Sequence, residues 1–221
     1  VIRPDAYIST VQTAPASYAL ADLATVKLRL GISAPTWNSV LGQFILDASA
    51  AAARYMNDPI VAETRVDQIW PWRDSRLGGL TSRAPSLQLK RWPLISVSSV
   101  VETIAGTATT LVAGTDYIAD PDYGRLTRLD SYGRPRAWNA DPLVVTYSAG
   151  YASVPADIGE AVSEMVKARF YAMSRDPAIR ERNVEGVMQT QYWFGAGPGA
   201  DTDMPPTIQA KLDRYRVPVT A

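Results

Sequence analysis

The 221-residue chain contains no cysteine and no histidine. Without cysteine there is no disulfide, no thiolate nucleophile and no cysteine zinc site. Without histidine there is no Ser-His-Asp or Cys-His arrangement and no histidine-ligated metal. A surplus of either charge is missing as well, because 22 Lys and Arg balance 22 Asp and Glu. No apolar run approaches the ~18–20 residues of a membrane span. The longest soft stretch, Ala48 to Ala53, is alanine-rich and bounded by Asp47 and Arg54. The N-terminal Val1-Ile2-Arg3-Pro4-Asp5 lacks the charged start, apolar centre and cleavage site of a secretory signal. The expectation is a soluble chain made in the cytoplasm, with no cofactor. What is present is ordinary globular material: 47% hydrophobic residues and 20% charged ones. That suits one domain, or a core with an elaborated insertion, and argues against a disordered polyelectrolyte.

Three zones separate by pattern, and no internal repeat joins them. From about Leu20 to Asp58 the reading is helical. Asp22 is placed to cap a short helix through Leu30, with Gly31 as the left-handed stop. A second helix starts near Thr36, with Trp37, Val40, Leu41, Phe44, Ile45, Ala48, Ala51, Ala52, Tyr55 and Met56 at three-and-four spacing. Asn57-Asp58-Pro59 ends it, since proline disfavours helical geometry in the residue before it. Its alanine face serves either internal helix packing or a subunit interface. From Glu63 to Tyr147 short strands are expected at 97–104, 109–112, 117–119, 125–129 and 143–147. They alternate with turns such as Pro121-Asp122-Tyr123-Gly124. Helix returns after Tyr151 and runs toward Asp176-Pro177. Residues 181–204 carry Gly186, Gly195, Gly197 and Gly199 and read as an arm or loop. Pro205-Pro206 opens a last short helix with Ile208, Leu212 and Tyr215 on one stripe. The fold class expected is α+β: a mainly helical core with an inserted small antiparallel β unit and an extended C-terminal arm. Its parts are 1–62 (helical), 63–150 (β unit), 151–180 (core helix) and 181–221 (arm and tail).

Local chemistry points away from catalysis. Asp116, Asp120, Asp122 and Asp130 lack the third oxygen and the distal Glu of a calcium loop, and suit hairpin turns instead. Gly195-x-Gly197-x-Gly199 lacks the Lys-Ser/Thr of a phosphate-binding loop. Charge is the better signal. Arg73, Arg76, Arg83, Lys90 and Arg91 face only Asp74 between positions 73 and 91, and Arg125, Arg128, Arg134 and Arg136 face only Asp130. Such patches suit phosphate contact without base reading, or a solvated face. Trp70, Trp72, Trp92 and Trp138 cluster around this zone as core or interface anchors.

Four segments form an ordered set: Leu89-Lys90-Arg91-Trp92-Pro93-Leu94-Ile95-Ser96-Val97, Gly114-Thr115-Asp116-Tyr117-Ile118, Gly124-Arg125-Leu126, and Val144 to Tyr151 running into Val154-Pro155-Ala156-Asp157-Ile158. With helices on both sides, they resemble the head–tail connector (adaptor) proteins of long-tailed phages and of gene transfer agents. The terminal Leu212-Asp213-Arg214-Tyr215-Arg216 fits too. The resemblance implies a non-enzymatic ring of about twelve copies beneath the portal protein, at the head–tail junction of a virion or gene-transfer-agent particle. It implies a tail-side stopper or tail terminator protein as a further partner, non-specific proximity to double-stranded DNA, and no membrane. Leu212, Tyr215, Arg216, Val217 and Pro218 map onto the portal-binding segment, expected to order only on its partner. Arg73, Arg76, Arg83, Lys90, Arg91, Arg125 and Arg128 are candidates for the DNA channel or a basic interface. Ala48, Ala51, Ala52, Trp92 and Trp138 are candidates for the subunit interface. The competing reading is a monomeric carbohydrate- or protein-binding β module with helical flanks. An enzyme using only Asp, Glu, Tyr, Lys or Ser comes third.

Overall fold

The computed structural model describes residues 7–58, 60–71, 85–139, 141–173, 181–184, 188–191 and 204–217. The fold is α+β, and the chain divides into two compact units. One is drawn from Ser17–Ile60 and Val154–Ala221, the other from Val1–Ala16 and Val61–Ser153.

The first unit carries the helices. Helix α1 (Leu23–Leu30) begins where the Asp22 carboxylate accepts from the Thr25 amide at 3.0 Å. It ends at Gly31, whose φ of 68° is costly for any side chain with a Cβ. A single 3₁₀ turn (Pro35–Trp37) leads into α2 (Asn38–Met56). There Leu41, Ile45, Ala48, Ala52 and Met56 recur at three-and-four spacing and are buried. Asn57 closes α2 in the left-handed region at φ 57°, which Asn tolerates better than most residues. Helix α3 (Ala156–Ala172) buries Ile158, Ala161, Val162 and Val166. Its Gly159 lies so close to the Leu20 carbonyl that a Cβ would sit 3.4 Å from that oxygen. Helix α4 (Pro206–Leu212) buries Ile208 and Leu212 and passes into a 3₁₀ turn at Asp213–Tyr215.

The second unit is built from strands. A five-stranded antiparallel sheet has the order β1-β2-β8-β4-β5, formed by β1 (Tyr7–Thr13), β2 (Glu63–Ile69), β4 (Leu94–Ile104), β5 (Thr107–Thr110) and β8 (Leu143–Ala149). A three-stranded sheet has the order β3-β7-β6, from β3 (Ser86–Gln88), β6 (Tyr117–Asp120) and β7 (Arg125–Arg128). One apolar cluster joins the two: Ile69, Val100, Leu143, Val145 and Tyr147 from the larger sheet meet Leu87, Tyr117 and Leu126 from the smaller, with Trp138 among them. The inward residues of β8 alternate along the strand with half-exposed ones, the period-two pattern of a sheet with one face on a core.

Strand β1 was not foreseen. The stretch before Leu20, grouped with the helical part in the sequence reading, supplies an edge strand to the β unit. Strands β2 and β3 also lie in the zone read as β without having been located individually. In the segment read as arm or loop, β9 (Glu181–Val184) and β10 (Met188–Gln191) form a two-stranded hairpin. Gly186, Gly195, Gly197 and Gly199 lie outside the described residues.

Candidate functional site

The arginines expected to form a basic patch are placed in two different ways. Arg91 is buried, with Nη1 2.5 Å from Glu63 Oε1 and Nη2 donating to the Val61 carbonyl at 2.8 Å. Arg65 reaches the same Glu63 oxygen at 2.5 Å. Burial, the largest single effect, works against the Arg65 charge, but the Glu63 hydrogen bond together with the attraction of the nearby Glu63 and Asp67 charges outweighs it, and the pKa is raised. Arg128 is buried likewise, 3.1 Å from Glu102 Oε2 and donating to the carbonyls of Asp116 and Leu129. Arg91 and Arg128 are therefore internal ion pairs rather than DNA-facing cations. A buried charge survives only if paired and hydrogen-bonded, and that requirement consumes both guanidinium groups. Lys90 and Arg125 stay exposed. Arg73, Arg76 and Arg83 lie outside the described residues.

Beside the Glu63 cluster lies a second buried carboxylate, Asp67 on β2, with no exposed surface. It accepts from the Tyr7 hydroxyl, from Ser9 Oγ at 2.5 Å, from the Tyr147 hydroxyl at 2.7 Å and from the Lys90 amide at 3.1 Å. Four donors from β1, β8 and the 89–93 segment thus converge on one side chain. Burial, then the adjacent Asp67 charge, pushes the Tyr7 and Tyr147 phenols far above their ordinary range. The two phenols are donors held in the protonated form. Glu63, Asp67 and Glu102 carry this architecture, and none was singled out from the sequence. A signal was there: Glu63, Arg65, Asp67 and Ile69 alternate on one face of β2, so charges share the inward side with an apolar residue.

The acidic turn residues do what their spacing suggested. Asp116 Oδ2 accepts from the Val112 amide at 2.8 Å, and Asp130 Oδ1 accepts from the amides of Tyr132 and Arg134, both at 2.9 Å. Among the described residues, no group of three or more Asp or Glu is arranged to hold a metal ion. No helix there is long and apolar enough to cross a membrane.

The interface and tail candidates are also redistributed. Ala48 and Ala52 are buried inside the helical unit and Trp138 inside the β core, so all three serve the subunit's own packing. Ala51 and Trp92 are half-buried. Leu212 is fully buried, which removes it from the portal-facing set. The tail around it is docked on its own unit. Lys211 lies 2.8 Å from Glu164 and 3.2 Å from Glu160, and Tyr215 donates to Asp157 at 2.8 Å. The Glu164 hydrogen bond raises the Lys211 pKa. The Val217 amide donates to the Met56 carbonyl at 2.8 Å, and Arg216 stacks over the Tyr55 ring at 5.2 Å. Residues 204–217 therefore have a docking surface on their own unit, whereas the sequence alone suggested a segment that orders on a partner. Arg216 remains exposed, and Pro218 lies outside the described residues.

The helical unit also holds an open cleft of about 450 Å³, where the starts of α1 and α3 meet, lined among others by Asp22, Thr25, Arg29, Gly159 and Glu160. Arg29 and Glu160 bridge across it at 3.8 Å. Glu160 is thus paired with Arg29, and Asp22 is engaged in capping α1.

Solved structures match almost the whole chain, two of them as follows. One is the neck of an empty gene transfer agent particle computed with C6 symmetry, at a TM-score of 0.56 and 18% identity over 97% of both chains. The other is the virion of a native gene transfer agent particle, at a TM-score of 0.57 and 18% identity over 97% of both chains. The chain shares the fold of those particle components. No family model and no curated protein matches the sequence. The likeness extends from β1 to the docked tail, so it takes in both units rather than the β unit alone. What the two structures share with this chain is architecture. At 18% identity, most side chains differ.

Proposed function

We propose that this chain is a structural head–tail connector, a ring-forming neck component that joins a DNA-filled head to a tail. The observation that carries the reading is fold likeness over 97% of both chains to components of gene transfer agent particles, one of them a particle neck. The ordered segments from Leu89 to Ile158 support it as well, because their pattern resembles that of the connector family. The ring has about twelve copies and sits beneath the portal protein around the DNA exit channel, with a stopper or terminator protein on its tail side. The neck of the empty particle was computed with sixfold symmetry, which a twelve-copy ring satisfies.

Within that reading the portal contact falls to what the tail leaves exposed. Arg216 is exposed there, whereas Leu212 and the Tyr215 hydroxyl are engaged by their own subunit. Lys90 and Arg125 supply cations near DNA, and contact with phosphates would be sequence-independent.

The test is co-assembly with a portal protein, imaged by electron microscopy. A collar on the portal is expected. Because deletion of 205–221 would strip Ile208 and Leu212 from the helical unit, the tail is tested by Arg216→Glu combined with removal of 218–221. Loss of the collar with an unchanged circular dichroism spectrum assigns the tail to the portal. A monomer that ignores the portal and binds glycan or another protein would overturn the connector reading.

A further inference from the structure

The five-stranded sheet ends in β1 on one side and β5 on the other, and among the described residues each pairs on one side only. Native sheets blunt such edges with charges, proline, bulges or covering elements, because an open edge invites a further strand. Neither edge carries the first two devices, and β1 shows a single register shift, between Val11 and Thr13 at its end. Strand β1 reads Tyr-Ile-Ser-Thr-Val-Gln-Thr and β5 reads Thr-Ala-Thr-Thr, with no charged residue and no proline. All four residues of β5 are exposed, as are Ile8 and Thr10 to Thr13 of β1. The contrast lies next door. The first half of β4, beyond the reach of β5, shifts register twice, between Leu94 and Ser96 and between Val97 and Ser99. Bulges there blunt that stretch and leave β5 as the smooth edge. The Leu111 amide donates to the Val100 carbonyl at 2.8 Å. By antiparallel alternation, Thr107 and Thr109 spend their backbone groups on β4 while Ala108 and Thr110 turn theirs outward.

Two different open edges on one subunit are the requirement for a head-to-tail contact that closes into a ring. We propose that the sheet continues from copy to copy, β5 of one chain pairing with β1 of the next. The inference rests on the ring reading above. Its direction follows from topology. Five alternating strands leave β1 and β5 running the same way, and rotation about a ring axis preserves that direction, so each junction is a parallel pair. A twofold β1–β1 contact would be antiparallel and would stop at a dimer.

The chain has no cysteine, so engineered thiols report on the junction without background. Thr10 and the outward pair Ala108 and Thr110 share the sheet face opposite the core, as the cross-strand partners Val66, Thr146 and Val101 show. Thr10→Cys is combined in turn with Ala108→Cys and Thr110→Cys, assembled on the portal and mildly oxidised. At least one double variant is expected to give a covalent ladder reaching the full ring, while each single variant stays monomeric on a non-reducing gel. Collars without a ladder from either double variant would overturn the junction and leave the connector reading standing. Dimers from Thr10→Cys alone would overturn it in favour of a twofold contact. Absence of any collar from the unmodified protein would bring down both. In a second arm, Thr10→Lys with Thr110→Lys is expected to abolish the collar, and Thr10→Lys with Thr110→Glu to keep it. Equal assembly of the two would overturn the proposal.

Discussion

Alkaline pH should weaken the β unit through two phenols. Tyr7 and Tyr147 both donate to the buried Asp67 carboxylate, and both pKa values are raised, first by burial and then by the adjacent carboxylate charge. A folded-state pKa above the unfolded value means that the native state keeps a proton the unfolded chain releases. The associated stability is complete below the unfolded phenol pKa of about 10 and falls as pH rises above it. One pH unit beyond that point costs about 1.4 kcal/mol for each phenol that stays protonated, so the pair loses roughly 3 kcal/mol near pH 11. Against a typical domain stability of about 5–15 kcal/mol, that loss is large. The assay is urea unfolding followed by tryptophan fluorescence, in steps between about pH 8 and pH 11, with Trp138 in the affected core as a reporter. Tyr147→Phe serves as the internal control. It should cost about 1–3 kcal/mol at neutral pH, because Asp67 loses a donor, and should roughly halve the alkaline slope. Stability that stays flat between pH 9 and 11, or a Tyr147→Phe slope equal to that of the unmodified protein, would refute the reasoning.

Other substitutions separate structural from surface charge. Arg91→Met should destabilise the protein by about 3–5 kcal/mol, because Glu63 stays buried with a partner removed; the urea midpoint measures it. Lys90→Ala with Arg125→Ala should leave the melting temperature nearly unchanged and lower the salt slope of duplex DNA binding by about 2, read by fluorescence anisotropy. Gly124→Ala should cost about 2 kcal/mol or more by thermal melting. Gly124 sits at φ 62°, and a Cβ there would lie 2.8 Å from Trp92 Cβ. Leu212→Ala should cost about 2–5 kcal/mol, and its loss of helical signal should accompany any loss of portal binding.

The helices were legible because their signals are local. Asp22, Gly31 and Asn57 sit at the ends of α1 and α2, and the buried stripe from Leu41 to Met56 is written at helical spacing. The hairpins were legible for the same reason, as turn residues sit beside the strands they join. Strand β1 was not, because only Tyr7 and Ser9 engage the interior side strongly and their partner, Asp67, is about sixty positions away. Counting charges along the chain misplaced Arg91 and Arg128. Their counter-ions, Glu63 and Glu102, lie 28 and 26 residues back and come close only through tertiary packing, Arg91 from the segment before β4 and Arg128 from the other sheet. The stripe of Ile208 and Leu212 was visible in the tail. That its cover is the subunit's own α2 and α3 was not, since nothing in a short amphipathic stretch names the surface it lies on.

Asp67 also decides which strand is allowed to occupy the position beside β2. A one-residue slip of β1 would turn Tyr7 and Ser9 to the opposite face and leave a buried anion short of two donors. The slot therefore reads hydroxyl groups at alternate positions, a Tyr-x-Ser code, rather than any β-prone peptide. A strand without hydroxyls at those two positions, or paired one residue out of step, leaves the carboxylate short of donors, so what is tested is sequence and register. The carboxylate acts as a proofreader of pairing as much as a source of stability.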